Sequence, residues 1–211
     1  MVTCRRTDTE IFQPLPQRFY RRSAVAIAPD LLGRVLVHRS AAGLYAGVIV
    51  ETEAYDEADP ASHSYSGMTA RNQAMFGPAG VAYVYRSYGV HWCFNVVAGA
   101  PGRGAAVMIR ALEPIAGIEL MRQRRGCGDS ARELRDLCRG PGRLCAALGI
   151  DAQHYGLHLD RAPLWVANPT GRFRRPIPRQ TPRIGISRAQ DIPWRFCVRD
   201  CVHVSGPTRL R

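Results

Sequence analysis

Two short alternating segments, Val81-Ala-Tyr-Val-Tyr85 and Val90-His-Trp-Cys-Phe-Asn-Val-Val97, flank the polar stretch Arg86-Ser-Tyr-Gly89. Alternation at period two marks strands with one buried face, and the short connection closes them into a β-hairpin whose turn takes its positive φ from Gly89. A lone hairpin is not stable in water, so it needs further strands to pair with. Val35-Leu-Val37, Tyr45 to Val50 running on into Glu51-Thr-Glu-Ala-Tyr55, Gly104 to Ile109 ending at Arg110, and a segment near Trp194 to Val204 supply them. Helices are predicted from Ala24 to Leu32, ended by Gly33, and from Gly140-Pro-Gly142 through Leu148. A third is predicted from Pro114 to Arg125, with Ile115, Ile118 and Met121 on its apolar face. The Pro- and Arg-rich stretch 168–183 reads as a surface loop, and residues 1–17 as a segment that packs only in part. Residues 18–204 then form one domain and 205–211 a tail, with no repeat or linker dividing them.

The net charge is +12, and all 29 basic residues are arginine, with no lysine in the chain. Arginine stays charged and forks onto phosphate oxygens. A G+C-rich genome accounts for arginine over lysine, but not for the excess of base over acid. That excess points to a polyanionic partner, nucleic acid ahead of a membrane surface. Without lysine, strand cleavage through a lysine Schiff base is impossible, and only the terminal amine is left for such chemistry. No run approaches the ~20 apolar residues of a membrane span, and the polar residues after Met1 are not a signal peptide. A cytoplasmic protein is expected. The seven cysteines have no pairing rhythm and no C-x-x-C spacing, so reduced thiols are expected. Cys138 and Cys145 have the spacing that opens one iron–sulfur pattern, but its other ligands do not follow. No metal and no cofactor are expected.

Glu51, Glu53 and Tyr55 lie two apart, so on a strand they share one face, at the edge of a long loop from Asp56 to Gly80. Spacing alone allows three readings of this cluster. It is a pair of solvated acids at a sheet rim, or one acid is a general base whose pKa the other perturbs. In the third, Glu51, Glu53, Asp56, Glu57, Asp59 and His63 hold magnesium in a nuclease. Tyr88, at the predicted hairpin tip, has little core to bury into and suits a wedge entering a base stack. Tyr83 and Tyr85 share a face of the first hairpin strand, and His91, Cys93 and Asn95 a face of the second. Each tyrosine taken singly is a packing residue. Together with Tyr55 and His63 they could line a slot for a planar base.

In these features the sequence resembles the alkyladenine (3-methyladenine) DNA glycosylase family. The resemblance rests on Val50-Glu-Thr-Glu-Ala-Tyr55, Thr69-Ala-Arg-Asn72 with Met75-Phe76, and Tyr83-Val-Tyr-Arg-Ser-Tyr-Gly89 with Cys93-Phe-Asn95. It continues through Ile109-Arg-Ala-Leu-Glu-Pro114, Gly140-Pro141 with Leu144-Cys145, Pro182-Arg-Ile-Gly185 and Pro193-Trp-Arg-Phe196. It spans roughly residues 18–204, and its motifs occur in the family's order. The resemblance implies a single α+β domain: a curved, mostly antiparallel sheet with flanking helices and a protruding hairpin, like the C-terminal domain of formyltransferases. It implies a monofunctional glycosylase that flips alkylated or deaminated purines from double-stranded DNA and leaves an abasic site. Glu53 matches the general base, and Arg110 a residue near the flipped nucleotide's phosphate and the catalytic water. Tyr55, His63 and Tyr85 match the aromatic walls of the base pocket. Asn95 matches the pocket residue that disfavours guanine, and Tyr88 the residue that fills the gap in the duplex. Met108, where some relatives carry leucine, Arg71 and Arg86 are expected at the groove or backbone. A monomer, associated with the nucleoid, is expected. A non-catalytic DNA-binding module remains an alternative.

Overall fold

The computed structural model describes residues 11–169 and 175–206. Strand β1 (Val35–Ser40) turns back into β2 (Gly43–Tyr55), which is long enough to organise everything else. The hairpin is β3 (Ala82–Ser87) and β4 (His91–Val97), and β4 pairs with β5 (Ala106–Ala116). Strands β6 (Asp160–Arg161), β7 (Leu164–Ala167), β8 (Pro178–Thr181) and β9 (Arg195–Val198) complete the sheet. The order is β3-β4-β5-β2-β1-β7-β6, and every pairing is antiparallel. One edge of β2 is shared: β1 pairs with its first half and β9 with Glu51–Glu53. The α+β class follows from this curled sheet and the four helices on it.

Helix α1 (Ala24–Leu31) begins where the Ser23 side chain accepts from the Ala26 N–H, and ends ahead of Gly33 at φ 77°. It packs on β2 and β5, and Thr52 reaches it by donating to the Ala28 carbonyl at 2.9 Å. Helix α2 covers Ile118–Arg125 only. The helix expected from Pro114 is shorter because Pro114–Ala116 stay paired with Ala46 and Gly47 in the sheet. Ile115, placed by periodicity on an apolar helix face, is instead 44% exposed on a strand. Gly117 makes the change of direction: it has φ 73°, and a Cβ there would meet the Leu44 carbonyl oxygen. Helix α3 (Ala131–Asp136) was not foreseen, although Ser130 and Glu133 carry the S-x-x-E start signal and the Ser130 Oγ accepts from the Glu133 N–H. Helix α4 (Pro141–Leu148) starts on its proline and ends at Gly149, as the sequence predicts, and packs on β4 and β5.

Other expectations change in extent. The strand expected to end at Arg110 continues to Ala116, which moves that arginine from a strand end to a strand centre. The stretch read as a surface loop at 168–183 contains β8, held by β9; its residues 170–174 lie outside the described residues. The final strand is short, and β6 and β7 come between α4 and that stretch. Of the N-terminal segment, Phe12 and Leu15 are buried and Pro14 bridges to Ala167. The described cysteines are all free thiols. Among the described residues, no helix is long and apolar enough to cross a membrane.

A histidine pair ties β1 to the end of α4. His38 Nδ1 donates to the Leu148 carbonyl at 2.7 Å, and its Nε2 lies 3.1 Å from His154 Nε2. His154 Nδ1 lies 3.2 Å from both the backbone nitrogen and a carboxylate oxygen of Asp151, and with His38 donating through Nδ1, its Nε2 accepts from His154. Accepting this bond requires a neutral His38 ring. Burial holds the His38 pKa below its ordinary value, despite the Leu148 hydrogen bond. The unfolded chain therefore takes up a proton that the folded one refuses, and stability falls as pH drops below about 6.5. Unfolding free energies from urea titrations at pH 7.5, 6.5 and 5.5 are expected to decline by up to ~1.4 kcal/mol per pH unit for this proton, and the decline is expected to shrink in a His38→Gln variant.

Candidate active site

The site is built on one row of the sheet. Glu53 on β2 is opposite Met108 on β5, Met108 opposite Asn95 on β4, and Asn95 opposite Tyr83 on β3. Thr52 and Ala54 point to the α1 side, so Glu51, Glu53 and Tyr55 share the other face, as their spacing predicts. They are not solvated rim residues. Both glutamates are 0% exposed, because the long loop and the segment around Ile184 cover this face.

Arg110 owes its position to a bulge. The pairing goes from Thr52 with Ile109 to Glu51 with Ala111, leaving Arg110 without a partner residue on β2. Bulges of this kind re-aim side chains. Arg110 Nε donates to Glu51 Oε1 and Nη1 to Glu53 Oε2, each at 3.0 Å. Burial alone would lower its pKa, but Glu53 and Glu51 outweigh that and raise it.

The two acids have different surroundings. Glu51 Oε1 also accepts from Arg195 Nε at 2.7 Å and Ser205 Oγ at 2.9 Å, and Oε2 accepts from the Ser205 N–H at 2.6 Å. Burial would raise the Glu51 pKa, yet the guanidiniums of Arg110 and Arg195 hold it below the usual carboxylate value. It thus accepts four hydrogen bonds, three of them on Oε1. Glu53 accepts from Tyr55 Oη at 2.8 Å, the Ile184 N–H at 2.8 Å and Arg110, which leaves about one position open. Burial, then Glu53, push the Tyr55 phenol well above its ordinary pKa, so it stays protonated and keeps donating.

A cleft of about 940 Å³ opens over this row. Tyr55, His63, Tyr85, Asn95, Met108, Arg110, Arg71 and Tyr88 all line it. Glu53 lies just behind that wall, screened by Tyr55 and Arg110. His63 comes from the long loop and packs edge-on against Tyr85, with ring centroids 4.4 Å apart. The loop is held by Asn72, which donates to the His63 and Gly67 carbonyls. His63 Nδ1 lies 2.9 Å from Tyr83 Oη, and burial followed by the charge of Arg71 lowers its pKa, favouring a neutral ring. Asn95 is pinned by its own hydrogen bond to the Tyr83 carbonyl at 3.0 Å. Arg71 donates to the Arg86 carbonyl, joining loop to hairpin, whereas the Arg86 side chain lies outside the cleft with its guanidinium over Trp92. Tyr88 is 91% exposed at the hairpin tip, and both it (φ 51°) and Gly89 (φ 69°) have positive φ, where the sequence predicts glycine alone.

The magnesium reading does not match this arrangement. Glu51 and Glu53 turn to Arg110, Asp59 to Arg183, and Asp56 and Glu57 to Arg103. Among the described residues, no three His, Cys, Asp or Glu side chains converge as ligands would. Sequence reasoning gave no role to Arg183, Arg195 or Ser205, and offered Asp59 only as a magnesium ligand. The two arginines lie in motifs that carry the resemblance, but nothing in their spacing reveals their buried partners.

Residues 18–202 match the family model described as methylpurine-DNA glycosylase (MPG). The chain belongs to this family. Several similar proteins carry the name "Putative 3-methyladenine DNA glycosylase". That of Granulibacter bethesdensis is 54% identical over 199 residues, covering 93% of this chain and 90% of its own. That of Rhodopseudomonas palustris (strain HaA2) is 51% identical over 194 residues, covering 92% and 91%. That of Methanoculleus marisnigri is 49% identical over 193 residues, covering 90% and 98%. In this glycosylase-family chain the two acids predict different losses. Glu51→Gln removes a carboxylate shared by two buried guanidiniums, those of Arg110 and Arg195, so it is expected to cost about 3 kcal/mol or more and to lower Tm by roughly 6–12 °C. Glu53→Gln, whose arginine keeps Glu51, is expected to melt closer to wild type in the same calorimetric scan.

Proposed function

We propose that the protein is a monofunctional DNA glycosylase that acts on alkylated or deaminated purines in double-stranded DNA. The carrying observation is the Glu53 carboxylate, buried behind an aromatic cleft and held by three donors with one acceptor position to spare. In this reading Tyr88 enters the stack as the damaged nucleotide leaves it. The base takes the cleft between Tyr55, His63 and Tyr85, where aromatic faces suit an electron-poor or cationic purine. Asn95, fixed by the Tyr83 carbonyl, crowds an exocyclic amine at the position guanine would present. Arg110 faces the nucleotide's phosphate, with Met108 and Arg71 at the groove and Arg86 at the backbone.

A water donates one hydrogen bond to the open position of Glu53 and turns its oxygen to C1′ of the deoxyribose. As the C1′–N bond lengthens, its electron pair goes to the base and the sugar becomes oxocarbenium-like. The water oxygen bonds to C1′ and its proton passes to Glu53. A base methylated to a cation leaves neutral, so one carboxylate suffices for it. The product is an abasic site in an unbroken strand, since no lysine is present to form a Schiff base. We place the enzyme on DNA as a monomer, in the cytoplasm with the nucleoid.

Two measurements test the reading. Glu53→Gln is expected to release free base from alkylated duplex at least ~10²-fold more slowly while binding that duplex normally. Normal turnover would remove Glu53 from the mechanism, and binding without base release by the wild type would leave only a DNA-binding module. Tyr88→Ser is expected to change stability by less than about 0.5 kcal/mol yet to reduce the population of extruded nucleotide reported by a fluorescent base. Equal extrusion would refute the wedge.

A further inference from the structure

Arg183 has no part in the mechanism above, yet it is enclosed in the wall behind Tyr55. Its side chain and that of Asp59 are fully buried, and they meet through both terminal guanidinium nitrogens: Nη2 donates to Oδ1 at 3.0 Å and Nη1 to Oδ2. Nη1 also donates to the Ala54 carbonyl at 3.1 Å and Nη2 to the Ala189 carbonyl at 3.4 Å, while Nε has no hydrogen-bond partner among the described residues. The guanidinium carbon lies 4.8 Å from the centre of the Tyr55 ring. Tyr55 lines the cleft and Arg183 does not, so the cation sits behind the ring.

We propose that Arg183 is a specificity-determining residue, whose fixed charge behind Tyr55 makes the pocket less favourable to a cationic base than to a neutral base of similar shape. The proposal rests on the reading in which Tyr55 stacks on the extruded purine. A ring attracts a cation through the negative charge of its π face. A guanidinium already on one face draws that charge toward itself and repels a second cation through the ring. Asp59 offsets the charge only in part, because a bidentate carboxylate grips the nitrogens edge-on and does not come between guanidinium and ring. The bias has a chemical use. A cationic methylpurine is a good leaving group unaided, whereas a neutral deaminated purine depends more on how well it is bound, so a platform of this kind evens the two.

The pair also fixes structure. Asp59 accepts from the Ala61 N–H at the start of the loop that carries His63, and Arg183 precedes Ile184, whose N–H holds Glu53. Absolute rates will therefore fall in any variant, and the informative quantity is a ratio. Single-turnover release of 3-methyladenine, a cation in the nucleotide, and of neutral hypoxanthine would be measured in otherwise identical duplexes. In the Asp59→Asn/Arg183→Gln double variant the cationic-to-neutral rate ratio is expected to rise roughly two- to fivefold. In Arg183→Lys, which keeps the charge, it is expected to stay within about twofold of wild type. Equal losses on both substrates in the double variant would overturn the proposal and leave a structural ion pair. If the double variant does not fold, Asp59→Asn alone bares the cation and must lower the ratio; an unchanged or raised ratio there also overturns it. A wild-type protein that releases neither base fails differently, because the glycosylase reading itself is then lost.

Discussion

The site depends on Arg110 holding two buried carboxylates together. Two acids on one face of a strand would repel each other and resist burial if left alone, and each buried ion costs several kcal/mol in lost hydration. Arg110 bridges them, and Arg195 adds a second positive charge on the Glu51 side, so two acids meet two guanidiniums. The cluster joins β2, β5, β9 and the Ser205 backbone, elements far apart in the chain. Ion pairs of this sort contribute little net stability compared with apolar packing, but they are severe on substitution and tolerate few alternative arrangements. That rigidity is what a carboxylate needs if it is to hold one water in one orientation.

Much of this was legible in the sequence, and the reasons for the gaps are physical. Period-two alternation gave the hairpin and the shared face of Glu51, Glu53 and Tyr55, because strand geometry alone fixes which residues face together. It did not reveal that the face is buried, since burial comes from the loop at 56–80 and the segment at Ile184, both remote in sequence. The helix predicted from Pro114 failed because pairing with β2 overrode a local pattern that suited either structure. Helix α3 was missed although Ser130 and Glu133 announced it. The bulge at Arg110 left no local mark, and neither did the partners of Arg183 and Arg195. The choice between Glu51 and Glu53 came from family resemblance at the sequence level. Within the proposed mechanism the surroundings also favour Glu53, which accepts three hydrogen bonds against four on Glu51 and is the acid bound to Tyr55 of the cleft wall.

The hairpin tip breaks a local rule, and what it gains in return is not found within the fold. A two-residue turn with positive φ at both positions favours Asn-Gly or Gly-Gly, and an L residue other than glycine or asparagine costs about 1–2 kcal/mol there. Tyr88 accepts that conformation at φ 51° and then buries almost none of its ring. Neither strand register nor core packing requires a tyrosine here. Around it the hairpin is stiffened: Arg86 stacks on Trp92 across the strands, and Arg71 reaches from the long loop to the Arg86 carbonyl. A strained, exposed aromatic on a braced support is a poor arrangement for a protein alone in water. It suits one that presses the ring into a stack of bases, where burial of the ring recovers what the turn gives up.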